Sequence, residues 1–201
     1  MNFLAHLRLS GENEQIMVGN FIADHIRGNK IKRYPQGVIV GIELHRKIDY
    51  YTDHHPVFMQ SRQRMHEKYH KYAGVIMDIF YDHFLAVNWK DYSEIDLHSF
   101  VSFCYGVMVK NYTLLPAHTK RILPFMIIQN WLVNYSNMQG LQRSFDGMAK
   151  RATFNSNMDK VLVDLKKDYK LYESEFKLFF PDILVYVENE MKLLQSEEKG
   201  I

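Results

Sequence analysis

The stretch Gly41-Ile-Glu-Leu-His-Arg-Lys-Ile-Asp-Tyr-Tyr-Thr-Asp-His-His-Pro56 decides how this chain is read. Val40, Leu44, Ile48 and Tyr51 recur every three or four residues, the period of an amphipathic helix. His45 and Asp49 stand one helical turn apart on the neighbouring face, and Thr52 continues it. A neutral imidazole and a carboxylate at that spacing can share one cation. A helix ending near Tyr51 leaves Asp53, His54 and His55 beyond its end, as weaker candidates. Pro56 closes the section or opens the next helix.

Outward from this stretch the helical period continues in both directions, and strand signals are scarce. Upstream, Asn13 to Arg27 reads as a helix with Ile16, Asn20, Ala23 and Arg27 on one face and Gly28-Asn29 as its stop. Pro35 suits the first turn of the helix that carries His45. Downstream, helices are predicted over 57–71, over 74–89 (apolar on nearly every face, hence buried) and over 97–109 behind a Ser93 cap. Further helices follow over 118–135 with a kink or break at Pro124, from Ser136 or Asn137 to Ala149, over 156–179 capped by Ser156, and over 181–194 opened by Pro181. The expected fold class is all-α: a single domain over residues 1–201, a helical bundle of roughly seven to nine helices.

Composition narrows the function classes. A chain of 201 residues, 47% hydrophobic and 14% aromatic, holds one sizeable core and is not disordered. The lone Cys104, between Phe103 and Tyr105, excludes an internal disulfide and reads as a small buried hydrophobe in a reducing cytoplasm. His6 and Arg8 interrupt the N-terminus before a signal-peptide core forms, and no run approaches the roughly 18 apolar residues of a membrane span. A soluble cytoplasmic protein is therefore expected. The net charge of +2 is too small to announce nucleic-acid binding. Its distribution says more: Arg27, Lys30, Lys32, Arg33, Arg46, Lys47, Arg62, Arg64, Lys68 and Lys71 crowd the first third, whereas Asp182, Glu188, Glu190, Glu197 and Glu198 make the tail acidic. A basic surface beside the candidate site suits an anionic substrate or an acidic partner; a solvated face is the alternative.

The other chemistry-bearing residues fall on neighbouring helices. Asp78 and Asp82 are one turn apart in the most apolar segment, and His83 follows about 100° round the axis. Two unpaired carboxylates are costly to bury, and a divalent cation removes the conflict. The alternative is an exposed acidic stripe, with His83 bonded into the core. Asp24 lies one turn after Asn20 among apolar residues. His6, beside Phe3, Leu4 and Leu7, is a fourth contributor or a satisfied core histidine. Arg27, one turn after Asp24, can hold a phosphate oxygen or simply complement a helix C-terminus. A Walker-A loop, a G-x-S-x-G elbow, a C-x-x-C pair and a His-Glu-x-x-His motif are all absent from the sequence. Helices that each offer carboxylates or imidazoles are how bundles build metal centres, so metal-assisted hydrolysis of a phosphoester fits the residues best.

Several words of the sequence carry a resemblance. Met1-Asn-Phe-Leu-Ala-His-Leu7, Gly19-Asn-Phe-Ile-Ala-Asp-His-Ile-Arg-Gly28, Gly41-Ile-Glu-Leu-His-Arg-Lys-Ile-Asp49 with Thr52-Asp53 and Pro56, and Asp78-Ile-Phe-Tyr-Asp-His-Phe-Leu85 with Asn88-Trp89 closely resemble the bacterial acyl carrier protein phosphodiesterases. Gln129-Asn-Trp-Leu-Val-Asn-Tyr135 and Leu141-Gln-Arg-Ser-Phe-Asp-Gly-Met-Ala149 resemble them too, and the likeness thins after Arg151. The resemblance implies an all-helical, HD-domain-like phosphohydrolase that depends on a divalent ion, typically Mn²⁺. It would cleave the phosphodiester between 4′-phosphopantetheine and a serine of holo acyl carrier protein, an acidic partner. Asp24, His45, Asp78, Asp82 and His6 are then the candidate metal ligands. Asp82, His83 and Asp49 are the candidate proton carriers, with Arg27 and Arg46 offsetting phosphate charge. The order Asp82-His83 reverses the His-Asp dyad of the wider superfamily, so ligands are not transferred from it one by one. A phosphohydrolase of the same scaffold acting on a small-molecule phosphoester is the alternative enzyme, and a catalytically silent binder of acidic partners is the alternative outside catalysis.

Overall fold

The computed structural model describes residues 1–199, with side chains described as far as Leu194, so Glu197 and Glu198 of the acidic tail lie outside the described side chains. The described residues form eleven α-helices and no strand, which makes the fold all-α with more helices than expected. They are α1 (Phe3–Leu9), α2 (Glu14–Ile22), α3 (Gln36–His54), α4 (Pro56–Tyr69), α5 (Ala73–Val87), α6 (Leu97–Lys110), α7 (Ala117–Ile128), α8 (Trp131–Asn134), α9 (Met138–Arg151), α10 (Val161–Lys167) and α11 (Tyr169–Lys199). None of them is long and apolar enough to cross a membrane.

Local chemistry sets most starts. Asn13 caps α2 by accepting from the N–H groups of Gln15 and Ile16 at 3.0 and 3.2 Å. Asn137 caps α9 through the N–H of Gly140 at 2.8 Å, and Pro56 takes the first turn of α4. For α6 the cap is Asp96, which accepts from Ser99 N–H, and not Ser93.

Helix ends depart further from expectation, each for a packing reason. α2 stops at Ile22, and residues 23–25 tighten into a 3₁₀ turn as Ile26 turns extended and buries its side chain. Asp24 is thus on a turn. α3 runs on to His54, so Asp53 and His54 belong to its last turn and do not lie beyond it. Pro124 neither breaks nor ends α7: it sits on the exposed side, where the carbonyl it strands meets water, and the break comes at Asn130 in a left-handed conformation with φ 46°. Ser156 caps no helix; its hydroxyl accepts from Met158 N–H at 3.4 Å in a turn, and the helix expected over 156–179 is divided at Asp168. Pro181 opens no new helix. It lies inside α11, where Phe176, Phe179, Phe180 and Ile183 on both sides of it are fully buried. Tertiary packing there outweighs the one backbone hydrogen bond that proline forgoes.

α5 is the buried axis, as its composition requires: Ile76, Met77, Ile79, Phe80, Phe84 and Leu85 are all enclosed. The aromatic face of α11 packs on it, with Tyr172 edge-on to Phe80 and Phe176 edge-on to Tyr81. Cys104 is enclosed in the core, and burial pushes its thiol up to about 12, which leaves it an inert hydrophobe.

α2 and α3 approach each other closely, through a glycine on each. A Cβ added at Gly19 would stand 2.1 Å from the carbonyl oxygen of Val38, and one at Gly41 would stand 2.1 Å from that of Ile16. Only glycine at both positions lets the two backbones meet. That contact positions the residues that follow it: Asn20 next to Gly19, and His45 one turn after Gly41.

Candidate metal centre

Asn20 is the hub of the buried polar groups. Its amide nitrogen donates to the His6 carbonyl and to Ser10 Oγ, both at 2.9 Å, which turns its Oδ1 toward two imidazoles. His6 Nδ1–H donates to that oxygen at 2.8 Å, and His45 Nδ1–H donates to it at 3.0 Å and to the Asn20 carbonyl at 2.8 Å. The two rings stack with centroids 4.0 Å apart. Both tautomers are therefore set from one side chain, and both Nε2 atoms point the same way.

They point at carboxylates. His6 Nε2 lies 3.1 Å from Asp49 Oδ1; His45 Nε2 lies 3.1 Å from Asp49 Oδ2 and 3.3 Å from Asp24 Oδ1. Despite that proximity, His45 Nε2 is buried without a hydrogen bond, as is Thr52 Oγ1. Asp24, His45, Asp49, Thr52, Asp53, Asp78 and Met1 enclose a cavity of about 180 Å³. The α-ammonium group of Met1 faces Asp78 at 3.0 Å and Asp49 at 3.6 Å.

The electrostatics follow from burial and from these contacts. Burial, then the charge of His45, pushes His6 down to about 4, so that imidazole is neutral. Burial also opposes a charge on His45, but Asp24 and Asp49 against its Nε2 outweigh this and raise it to about 9. Burial alone would raise Asp49; His45 and His6 against its two oxygens, with the Met1 ammonium, hold it far below the carboxylate range. Asp78 is raised by burial, partly offset by the Met1 ammonium.

These features fit a divalent cation. With His6 neutral and its N–H given to Asn20, an Nε2 lone pair faces a carboxylate oxygen at 3.1 Å. Two acceptors at that distance call for a cation between them. His6, His45 and Asp49 each present one ligand atom, all within 4.8 Å of one another. Imidazole nitrogen with carboxylate oxygen is a donor set for Mn²⁺, Fe²⁺ or Zn²⁺.

The remaining sequence candidates lie elsewhere. Asp82 is enclosed, and its oxygens accept from the backbone N–H groups of Asn2, Leu4 and Ala5 at 3.2, 2.8 and 3.3 Å. It satisfies the first turn of α1, the helix that carries His6. His83 is bonded into the core, Nδ1 to the Tyr135 carbonyl at 2.7 Å and Nε2 to the Tyr169 hydroxyl at 2.9 Å. Arg27 is exposed and does not line the cavity, and Arg46 donates to the Ile26 carbonyl at 3.4 Å. Asn20 was legible only as a polar residue on a helix face; its service to two histidines is a tertiary fact. In Asn20→Ala, His6 Nδ1–H loses its acceptor and His45 Nδ1–H keeps only the main-chain carbonyl of residue 20, and metal affinity is expected to fall about 10–100-fold with the helical content retained. Titration calorimetry with Mn²⁺, alongside circular dichroism, measures both.

Comparison with known proteins identifies the family. The family model for acyl carrier protein phosphodiesterase matches residues 1–183. The acyl carrier protein phosphodiesterase of Photorhabdus laumondii is 32% identical over 190 residues, covering 94% of this chain and 96% of that protein. Those of an Enterobacter strain and of Escherichia coli are 32% and 33% identical, and the matches cover 98% and 96% of their lengths and 94% and 92% of this chain. No solved structure matches the chain. The matched span contains every residue of the His/Asp cavity and of its Asn20 support, and the chain belongs to the acyl carrier protein phosphodiesterase family.

Proposed function

We propose that the protein hydrolyses the phosphodiester joining 4′-phosphopantetheine to a serine of holo acyl carrier protein, with a divalent ion, Mn²⁺, held by His6, His45, Asp49 and Asp24. One observation carries this reading: Asn20 holds both Nδ1–H groups, so two Nε2 atoms converge on the same carboxylate. Held there, a divalent ion would supply Lewis-acid activation of phosphodiester hydrolysis.

The chain's own groups do the rest. Asp78, whose carboxyl is raised and faces the cavity, takes and returns the proton. The Thr52 hydroxyl, buried without a hydrogen bond, faces the same space and stabilises phosphate oxygens. Asp82 and His83 support the site from behind, one holding the start of α1 and the other tying α5 to Tyr135 and Tyr169. Of the basic residues in the first third, Arg62 pairs with Asp53, Arg64 with Glu175, Lys47 with Glu190 and Lys68 with Asp164. Arg27, Lys30, Lys32 and Arg33 are exposed beside Asp24 and suit the acidic surface of a carrier protein.

Incubating the purified protein with Mn²⁺ and holo acyl carrier protein is the test. Conversion of the carrier to its apo mass, stopped by chelation, is expected. An unchanged carrier mass under conditions where bis(p-nitrophenyl) phosphate is hydrolysed would transfer the activity to small phosphoesters.

A further inference from the structure

The sequence words over 129–135 and 141–149 contribute nothing to the His/Asp cavity. They meet instead in a second cavity of about 280 Å³. The two cavities are adjacent along the backbone twice over. Met1 and Asp78 line the first, while Asn2 and Ile79, the next residue in each case, line the second. Consecutive Cα atoms are about 3.8 Å apart, so the two cavities share a wall built from these residues.

The lining has a definite chemistry. Phe3, Ile79, Trp131 and Met148 make it apolar, and the carboxamides of Asn2, Gln129 and Asn134 punctuate it. Trp131 is held in place by its indole N–H, which donates to Gln129 Oε1 at 3.0 Å. No carboxylate lines the cavity, and Arg143 and Arg151 are its charged residues. Apolar walls with a few amide partners fit a flexible chain of methylene and amide groups, and the two arginines suit one attached to an anion.

Two glycines of α9 divide the labour. Gly140 is jammed: an added Cβ would stand 2.1 Å from the Asn134 carbonyl, so this glycine lets α9 close onto α8. Gly147 closes nothing. A Cβ there would meet only the Arg151 guanidinium, at 3.4 Å, and the position faces the cavity. A mid-helix glycine carries a cost in helix propensity without packing in return, and here the return is open space.

We propose that this second cavity receives the pantetheine arm of the carrier-protein substrate, with Gly147 keeping it open and Trp131 and Met148 packing along the arm. The identity of the arm rests on the phosphodiesterase reading above; the cavity and its chemistry do not. The arm consists of a dimethyl carbon one methylene from the phosphate oxygen, a hydroxyl, two amides joined by methylene groups and a terminal thiol, a mixture of apolar and amide groups like that of the lining.

Free pantetheine at millimolar concentration is the probe, with Trp131 emission as the readout and Trp131→Phe assigning the signal. Saturable change is expected in the wild-type protein, and Gly147→Leu is expected to weaken it at least about ten-fold. In the same variant the ratio of holo carrier protein hydrolysis to bis(p-nitrophenyl) phosphate hydrolysis is expected to fall by a similar factor. Absence of any response in the wild-type protein, or unweakened binding in a folded Gly147→Leu, would overturn the assignment whatever the activity. Saturable pantetheine binding without cleavage of holo carrier protein would sustain the cavity and remove the phosphodiesterase reading. Cleavage without pantetheine binding would do the reverse.

Discussion

Asp49→Asn and His45→Ala are each expected to abolish Mn²⁺-dependent release of the pantetheine arm while leaving the helices intact. Asp49 has the larger effect because it faces both histidines at 3.1 Å and the Met1 ammonium at 3.6 Å. No other side chain of the cavity touches all three. Removing its charge takes an oxygen donor from the cation and also lowers the basicity of the imidazoles it faces. Supports of metal ligands typically cost about 10–100-fold when lost, so loss of a ligand itself should exceed 100-fold in kcat/KM. His45→Ala removes the side chain whose Nε2 lies 3.3 Å from Asp24 and 3.1 Å from Asp49. Far-UV circular dichroism should change little, since Asp49 is half-exposed and His45 packs at a polar hub and not in the apolar core. Activity and bound Mn²⁺, measured on the same preparations, decide the matter. Wild-type activity in either variant would remove that residue from the centre.

Gly41→Ala should damage the same centre from a position that carries no polar group. The new Cβ would lie 2.1 Å from the Ile16 carbonyl oxygen and 2.9 Å from Gly19 Cα, and backbone atoms cannot rotate away. The helices must separate. Overpacking of this kind costs about 1–3 kcal/mol, and at roughly 2–4 °C per kcal/mol for a chain of this length a thermal melt should show a clear fall in Tm. Metal affinity should fall too, because the 2.8 Å bond from His45 to the Asn20 carbonyl spans the separating pair. Gly106→Ala is the control. That glycine lies in α6 with nothing within 4 Å of an added Cβ, and its replacement should stabilise by up to about 1 kcal/mol through helix propensity. A Tm in Gly41→Ala equal to that of the wild type would show that α2 and α3 tolerate a wider spacing.

Which features were legible follows from the range of the forces involved. Apolar periodicity announced α3 and α5, and the His45–Asp49 pair survives intact because spacing along one helix is a local property. Caps at Asn13 and Asn137 were likewise local. Pro181 misled, since a proline's local cost is offset where a long apolar face gains more by continuing, and Pro124 lies within α7 without breaking it. The acidic residues divided along the same line. Asp78 and Asp82 are indistinguishable in sequence, one turn apart on one apolar helix. Asp78 faces the cavity, whereas Asp82 receives three N–H groups from a helix about eighty positions away.

By itself, then, the sequence determined an all-helical chain and singled out the carboxylates and imidazoles on its apolar helices. Tertiary structure alone decided which of them meet. The glycine contact between α2 and α3 brings Asn20 against His45, the docking of α1 on Asp82 delivers His6, and both depend on distances between helices that no spacing within one helix encodes.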